Sequence, residues 1–271
     1  MRNVAFISGA SRGIGKAIGL KLASEGWDIV VAAKTEKDTP KLPGTIYSAA
    51  EEMRALGANA LPVVCNVASQ ESIDAAVEKT LAAFGRVDAV INNAGALWWK
   101  NMEETPMKRF DLVMNVNVRA AFALTAGFLP TLKKQNSGHI IMMSPPVDLR
   151  VIPGHIAYMI SKFGMTMIAF GLAEELRDSN ISATALWPKT VIESYATINY
   201  HLGDPSVWRK ADILADATFE ILRRPAETKG KAFLDEDFLR SIGYTDFEKY
   251  NCVPGGQPMI LDWNTAGAAQ S

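Results

Sequence analysis

Cysteine and histidine are scarce in this chain. Its 271 residues include two cysteines, Cys65 and Cys252, and three histidines, His139, His155 and His201. With no C-x-x-C and no paired Cys/His spacing, neither a disulfide framework nor a zinc site is encoded, so no metal is expected and a reducing compartment fits. An excess of charge of either sign is also lacking. Lys and Arg total 28 against 29 for Asp and Glu, a net charge of -1. That balance offers no general attraction to nucleic acid or to an anionic membrane surface, so neither is expected as a partner. No uninterrupted apolar run approaches the ~20 residues of a membrane span. The chain opens directly into "MRNVAFISGA", without a charged segment followed by a longer apolar stretch, and its terminal "AAQS" is no peroxisomal address. A cytoplasmic protein is expected.

What is present is ordinary for a globular chain: 48% hydrophobic and 21% charged residues, enough for a single core. Apolar and β-branched runs at 4–8, 28–33, 60–65, 89–95, 139–144 and 181–187 alternate with helical patterns at 14–24, 46–56, 69–84, 107–134 and 157–177. Continuously apolar strands separated by helices predict an α/β fold: one doubly wound parallel sheet of Rossmann type with helices on both faces. No composition break divides the chain. We expect one domain over 1–271, with a last strand at 231–237 and an extra tail from about 238 that wraps the surface or forms an interface arm.

The first strand runs into "SGASRGIGKA", which fits two chemistries. Gly9-Ala10-Ser11-Arg12-Gly13 matches the G-x-S-x-G elbow of a serine hydrolase, with Ser11 as nucleophile. The elbow would also need a histidine and an acid downstream, and only His201 is well placed. As a phosphate turn, every glycine is used: Gly9 for the tight turn, Gly13 for close backbone approach, Gly15 for helix packing on the strand. Tyr158 and Lys162, four apart in "AYMISK", share a helix face, where an adjacent ammonium favours the phenolate and makes tyrosine a usable acid/base. Ser144 ends the preceding strand, at the edge where such sheets bind ligands, although a serine there is often only a turn residue.

In this order, "SGASRGIG", "NNAG", "NVNV", Ser144, "YMISK" and "WPKT" resemble the short-chain dehydrogenase/reductases over most of the chain. A narrower likeness, through "AAKT", "PKLPGTIYSAAEEM", "MMSPP", "LWPKT" and "FLDEDFL", points to a branch whose animal members carry a following sterol-carrier domain, expected to be lacking here. The resemblance implies an NAD(P)-dependent oxidoreductase acting on CH-OH groups. Tyr158 would be the general acid/base, Lys162 would lower its pKa and hold the nicotinamide ribose, Ser144 would bond the substrate oxygen, and Asn117 would anchor a water in the proton relay. Cofactor contacts would come from Gly9, Ser11, Arg12, Gly13, Ile14, Gly15, Lys34, Asn66, Val67, Asn93, Ala94, Gly95, Tyr158, Lys162, Pro188 and Ile192. The chain departs from the family pattern at Pro188-Lys189, usually Pro-Gly; at Ile192-Glu193-Ser194, usually a shorter spacing to threonine; and at Asn66, usually aspartate.

Strand two ends in Ala33-Lys34 rather than in the carboxylate that would select a free ribose 2′-hydroxyl. With Arg12 nearby, this predicts NADP(H) in preference to NAD(H), which remains possible; Glu36 is the dissenting residue. Leu97, Trp98, Ser144, Pro145 and Tyr158 are the expected substrate contacts. A long segment at 190–208, carrying Ile192, Tyr195, Ile198, Tyr200 and Trp208, suggests an apolar pocket under a lid; for Trp98 and Trp208, lining and packing both remain open. The substrate would be an apolar alcohol or its ketone or aldehyde, lipid-, terpenoid- or steroid-like. Family resemblance also implies a homodimer or homotetramer paired through the helices ending near Lys134 and Arg177. Two alternatives stand beside this reading: a non-catalytic nucleotide-binding sensor or assembly module, and, as a minor one, the hydrolase using Ser11.

Overall fold

The computed structural model describes residues 1–38 and 43–261. Part of the loop after the second strand, and the end of the tail from 262, lie outside the described residues. Seven strands form one wholly parallel sheet in the order β3-β2-β1-β4-β5-β6-β7. The first half runs β1 (Val4–Ser8), α1 (Gly13–Ser24), β2 (Asp28–Ala33), α2 (Ile46–Ala55), β3 (Ala60–Val64), α3 (Gln70–Phe84) and β4 (Ala89–Asn92). The second runs α4 (Met107–Met114), α5 (Ala120–Gln135), β5 (Gly138–Met143), α6 (Ile156–Glu175), β6 (Ile181–Trp187), α7 (Tyr195–Asn199), α8 (Asp212–Leu222), α9 (Pro225–Thr228), β7 (Ala232–Leu234) and α10 (Asp235–Ser241).

Both faces of the sheet are covered, which is why β1 and β2 are buried at every position. On one face α1, α2 and α8 enclose Ile7, Ile18, Leu22, Ile29 and Leu214; on the other, α3, α5 and α6 enclose Phe6, Val30, Leu124, Phe128 and Met165. Local signals set the helix ends. Thr45 and Ser48 form a reciprocal capping box at α2, Ser69 accepts from Ser72 N at α3, and α3 stops at Gly85 with φ 69°.

Three expectations change. The helix over 107–134 is interrupted by a π turn at Asn115–Arg119, which re-aims Asn117. "FLDED" is not all strand: β7 ends at Leu234, and Asp235, Glu236 and Asp237 open α10, where carboxylates suit a helix N-terminus. Interrupted by polar residues but continuous as helix, Met107–Gln135 and α6 are each apolar and long enough to cross a membrane by length and composition; here Leu124, Phe128, Met165 and Leu172 on them pack into the sheet core.

Between β2-β1 and β4-β5 the chain's direction of winding reverses, so the loops after β1 and β4 diverge and leave a crevice at the carboxyl edge. That crevice is the site.

Candidate active site

Backbone proximity builds the nucleotide end of the crevice. Gly9 and Gly13 adopt φ 71° and 54°, the left-handed region that glycine enters without strain. A Cβ on Gly15 would lie 2.5 Å from the Gly9 carbonyl oxygen, so only glycine lets α1 start this close to the turn. Ser8 and Asn93 hold the ends of β1 and β4 together: Ser8 Oγ accepts from the Asn93 and Ala94 amides at 3.0 Å each, and Asn93 Nδ2 donates to Ser8 O at 2.9 Å. The result is a cavity of about 570 Å³.

Gly9, Ser11, Arg12, Gly13, Ile14, Lys34, Asn66, Val67, Asn93, Ala94, Gly95, Leu97, Tyr158, Lys162, Pro188 and Ile192 all line that cavity. Gly15 lies behind the wall as packing. At the corner beside the end of β2, Arg12 donates to Gly44 O at 2.6 Å and shares the wall with Lys34 and Thr35. Glu36 accepts from Tyr47 Oη at 3.0 Å and is not on the wall.

Tyr158 and Lys162 lie on one face of α6, both buried and both on the cavity wall, as their spacing predicts. Lys162 Nζ donates to Met143 O at 2.8 Å. Burial draws the Lys162 pKa down to about 8 and pushes that of Tyr158 well above its ordinary value. A low-dielectric wall disfavours each charge alone, so a tyrosinate is tolerable there only with a cation such as the Lys162 ammonium beside it.

Asn117, fully buried in the π turn, is behind the wall rather than on it. Its Oδ1 accepts from Ala96 N at 2.7 Å, and its Nδ2 donates to Ala96 O at 3.0 Å and to Ser161 Oγ at 2.8 Å, clamping the loop after β4 to α6.

Of the five expected substrate contacts, Leu97 and Tyr158 line the cavity, and Ser144, Pro145 and Trp98 do not. Ser144 N donates to Leu186 O at 3.2 Å, so residue 144 prolongs the β5 ladder and its side chain turns into the core. There Ser144 Oγ is bonded to Thr166 Oγ1 at 2.8 Å and accepts from Trp187 Nε1 at 3.2 Å; neither Ser144 nor the buried Pro145 reaches the cavity. Trp98 packs under the Arg109 guanidinium, 4.7 Å from its ring centroid, while its neighbour Trp99 lines the cavity. Trp208 is buried packing, with Nε1 donating to Leu202 O at 2.6 Å.

Wall residues that sequence reasoning missed include Thr35, Leu202 and Leu261; Trp99 and Thr190 line the cavity as well. Thr190 Oγ1 is buried without a hydrogen-bond partner, an acceptor or donor available to a ligand. Trp99 anchors an aromatic cluster, with ring centroids 6.0 Å from Tyr158, 5.5 Å from Tyr200 and 5.0 Å from His155.

The hydrolase arrangement is not assembled around Ser11. His139 bonds Thr184 Oγ1 at 2.8 Å inside the sheet and His155 bonds Pro153 O at 2.9 Å, while His201 is an exposed turn residue with φ 52°. A dinucleotide fits what remains. The glycine cradle has no side chain to obstruct a pyrophosphate, α1 presents its N-terminus there, and Tyr158 and Lys162 stand at the far end.

The chain matches the short chain dehydrogenase family model over residues 3–198. It is 45% identical over 261 residues to hydroxysteroid dehydrogenase-like protein 2 of Bos taurus, an alignment covering 95% of this chain and 62% of that protein. It therefore spans less than two thirds of that relative's length. A crystal structure of a short-chain dehydrogenase from Mycobacterium thermoresistibile superposes with a TM-score of 0.89 at 40% identity, covering 96% of this chain and 94% of that one. A metagenomic short-chain oxidoreductase in complex with NADP superposes with a TM-score of 0.72 at 28% identity, covering 86% and 95%. With this fold, this cavity and these relatives, the chain belongs to the short-chain dehydrogenase/reductase family of NAD(P)-dependent oxidoreductases.

Proposed function

We propose that this protein interconverts an apolar alcohol and its ketone or aldehyde with NADP(H), using Tyr158 as proton donor and acceptor. The observation that carries the reading is the placement of Tyr158 and Lys162 on the wall of the same cavity whose other end is the glycine cradle. When bound, the nicotinamide supplies or accepts the hydride. Tyr158 gives its phenolic proton to the substrate oxygen as negative charge develops there, and in the oxidising direction takes it back. Lys162 stabilises the tyrosinate through its ammonium. Asn117 fixes the Ala96 segment and α6 relative to each other, so that Tyr158 is held against the cofactor end. Ser144, facing Thr166 and Trp187, supports this wall from behind.

Arg12 and Lys34 at the ribose corner, with Glu36 tied to Tyr47, support preference for a 2′-phosphate. Trp99, Leu97 and Leu202 give the substrate end its apolar character. Exposed Phe122 on α5 and Ile160, Met167 and Phe170 on α6 support pairing of two copies through these helices, within a cytoplasmic homo-oligomer.

Loss of nicotinamide absorbance with NADPH and NADH, each offered against a panel of apolar ketones and aldehydes, tests the reading. Consumption of NADPH in preference to NADH is expected. Cofactor binding without consumption across the panel would favour the non-catalytic module, which needs the cradle but not Tyr158 and Lys162.

A further inference from the structure

Among the described residues, the chain beyond β7 runs over the surface and comes back to the cavity. After α10 it returns to the site, and its last described residues pair with the segment that follows β6. Val191 N donates to Met259 O at 2.9 Å, Leu261 N donates to Lys189 O at 2.9 Å, and Thr190 and Ile260 form an antiparallel bridge. On its other edge the segment is held by 206–209, through Gln257 N to Ser206 O at 2.8 Å and Met259 N to Val207 O at 2.9 Å. Lys189 is fixed from both sides, because its own N–H donates to the buried Asp235 carboxylate at 2.9 Å. These backbone bonds hold the segment against both 189–191 and 206–207.

That pairing brings the Leu261 side chain onto the cavity wall, against the cluster of Trp99, Tyr158 and Phe163, with Leu202 and Leu97 beside it. Tyr158 and Leu261, the last described residue of the tail, therefore belong to one apolar surface.

We propose that Leu261 is a specificity-determining residue: the C-terminal segment closes the apolar end of the cavity, and the bulk of residue 261 sets how large a hydrocarbon group beside the reacting carbonyl can be accommodated. This rests on the redox reading of the same cavity. Its ligand is an apolar carbonyl compound or alcohol whose hydrocarbon portion lies between Trp99, Leu202 and Leu261, and whose oxygen faces Tyr158.

The experiment compares wild type, Leu261→Ala and Leu261→Trp, each shown by thermal melting to be folded, against butanone, octan-2-one and cyclododecanone. Two quantities are read: kcat/KM with NADPH, and the affinity of the NADP-loaded protein for the corresponding alcohols by calorimetry. A shape change of this size in an apolar pocket is worth about tenfold or more in discrimination. Leu261→Trp should lower the ratio of large-ketone to butanone kcat/KM by at least about that factor, mostly through KM, and Leu261→Ala should raise it. Alcohol affinities should shift in the same order. Unchanged ratios and unchanged affinities in both variants would overturn the inference. Size-dependent affinities without turnover in any variant would preserve it while defeating the redox reading; turnover with an unchanged size ratio would do the reverse.

Discussion

On the wall built by β1, α1 and β4, the parts that meet are sheet neighbours and short turns: Gly9 against Gly15, and Ser8 against Asn93. The facing wall is assembled from distant stretches, with 189–191 paired to 259–261 and Tyr200 Oη donating to Leu97 O at 3.0 Å. The first wall offers a ligand mainly backbone, in a geometry that glycine alone permits. In the proposed reading the second would select by the size of apolar side chains, which can change without disturbing the sheet. Shared chemistry would then sit on the rigid parallel core, and substrate choice on connections that the core merely positions.

The largest expected effect breaks the contrast at its centre. Tyr158→Phe removes the only proposed proton donor and should reduce turnover by about 10²–10⁴-fold, measured as steady-state kcat with cofactor affinity checked by titration. Loss of cofactor binding instead would place Tyr158 with the nucleotide wall. Replacing both Arg12 and Lys34 by Ala should weaken NADPH binding by roughly tenfold or more, since charge-assisted hydrogen bonds are worth about 1.5–3 kcal/mol, while leaving NADH binding nearly constant. Equal losses for both cofactors would show that these cations do not read a 2′-phosphate.

Asp235 probes the joint between the walls. Burial raises its pKa from 3.8 to about 6, opposed by the Lys189 and Glu236 amides and by Arg209, and aided by the Glu236 charge. A raised carboxyl pKa means that the folded chain holds this proton more tightly than the unfolded one. Its stabilising contribution is therefore complete below about pH 4 and is lost as pH rises through about 6. Asp235→Asn keeps Oδ1 for both amides and removes the charge, so stability relative to wild type should improve by about 2–3 kcal/mol between pH 4 and pH 7 in denaturant titrations. A pH-independent difference would show that the carboxylate is not strained by burial. Ser144→Ala should have the smallest effect: under tenfold on kcat, with about 1 kcal/mol of stability lost with the Thr166 and Trp187 bonds. A collapse of kcat comparable to that of Tyr158→Phe would mean that Ser144 reaches substrate during turnover.

Sequence made the nucleotide wall legible because its signals are short-range. The glycine stretch fitted an elbow or a phosphate turn, and the alternation of strand and helix, with a Tyr-Lys pair four apart on a later helix, favoured the second. Ser144 illustrates the limit. Its hydroxyl was recognisable, but whether it faces ligand or core depends on the side of the sheet it falls on, and a change of one residue reverses that. Trp98 and Trp99 pose the same problem as adjacent aromatics with opposite directions, which composition alone does not rank. The first-turn acids of α10 were a readable helix start. No local pattern around Leu261 announces its partner strand, because the pairing is made with residues from the loop after β6.

The most direct measurement is a single turnover with NADPH deuterated at the transferring carbon, for wild type and Tyr158→Phe, once a ketone substrate is in hand. The expected result is deuterium on the carbinol carbon of the wild-type product and little or none with Tyr158→Phe, although both bind the cofactor. Equal transfer by the two proteins would contradict the assignment of Tyr158 as proton donor and, with it, the mechanism proposed for this cavity.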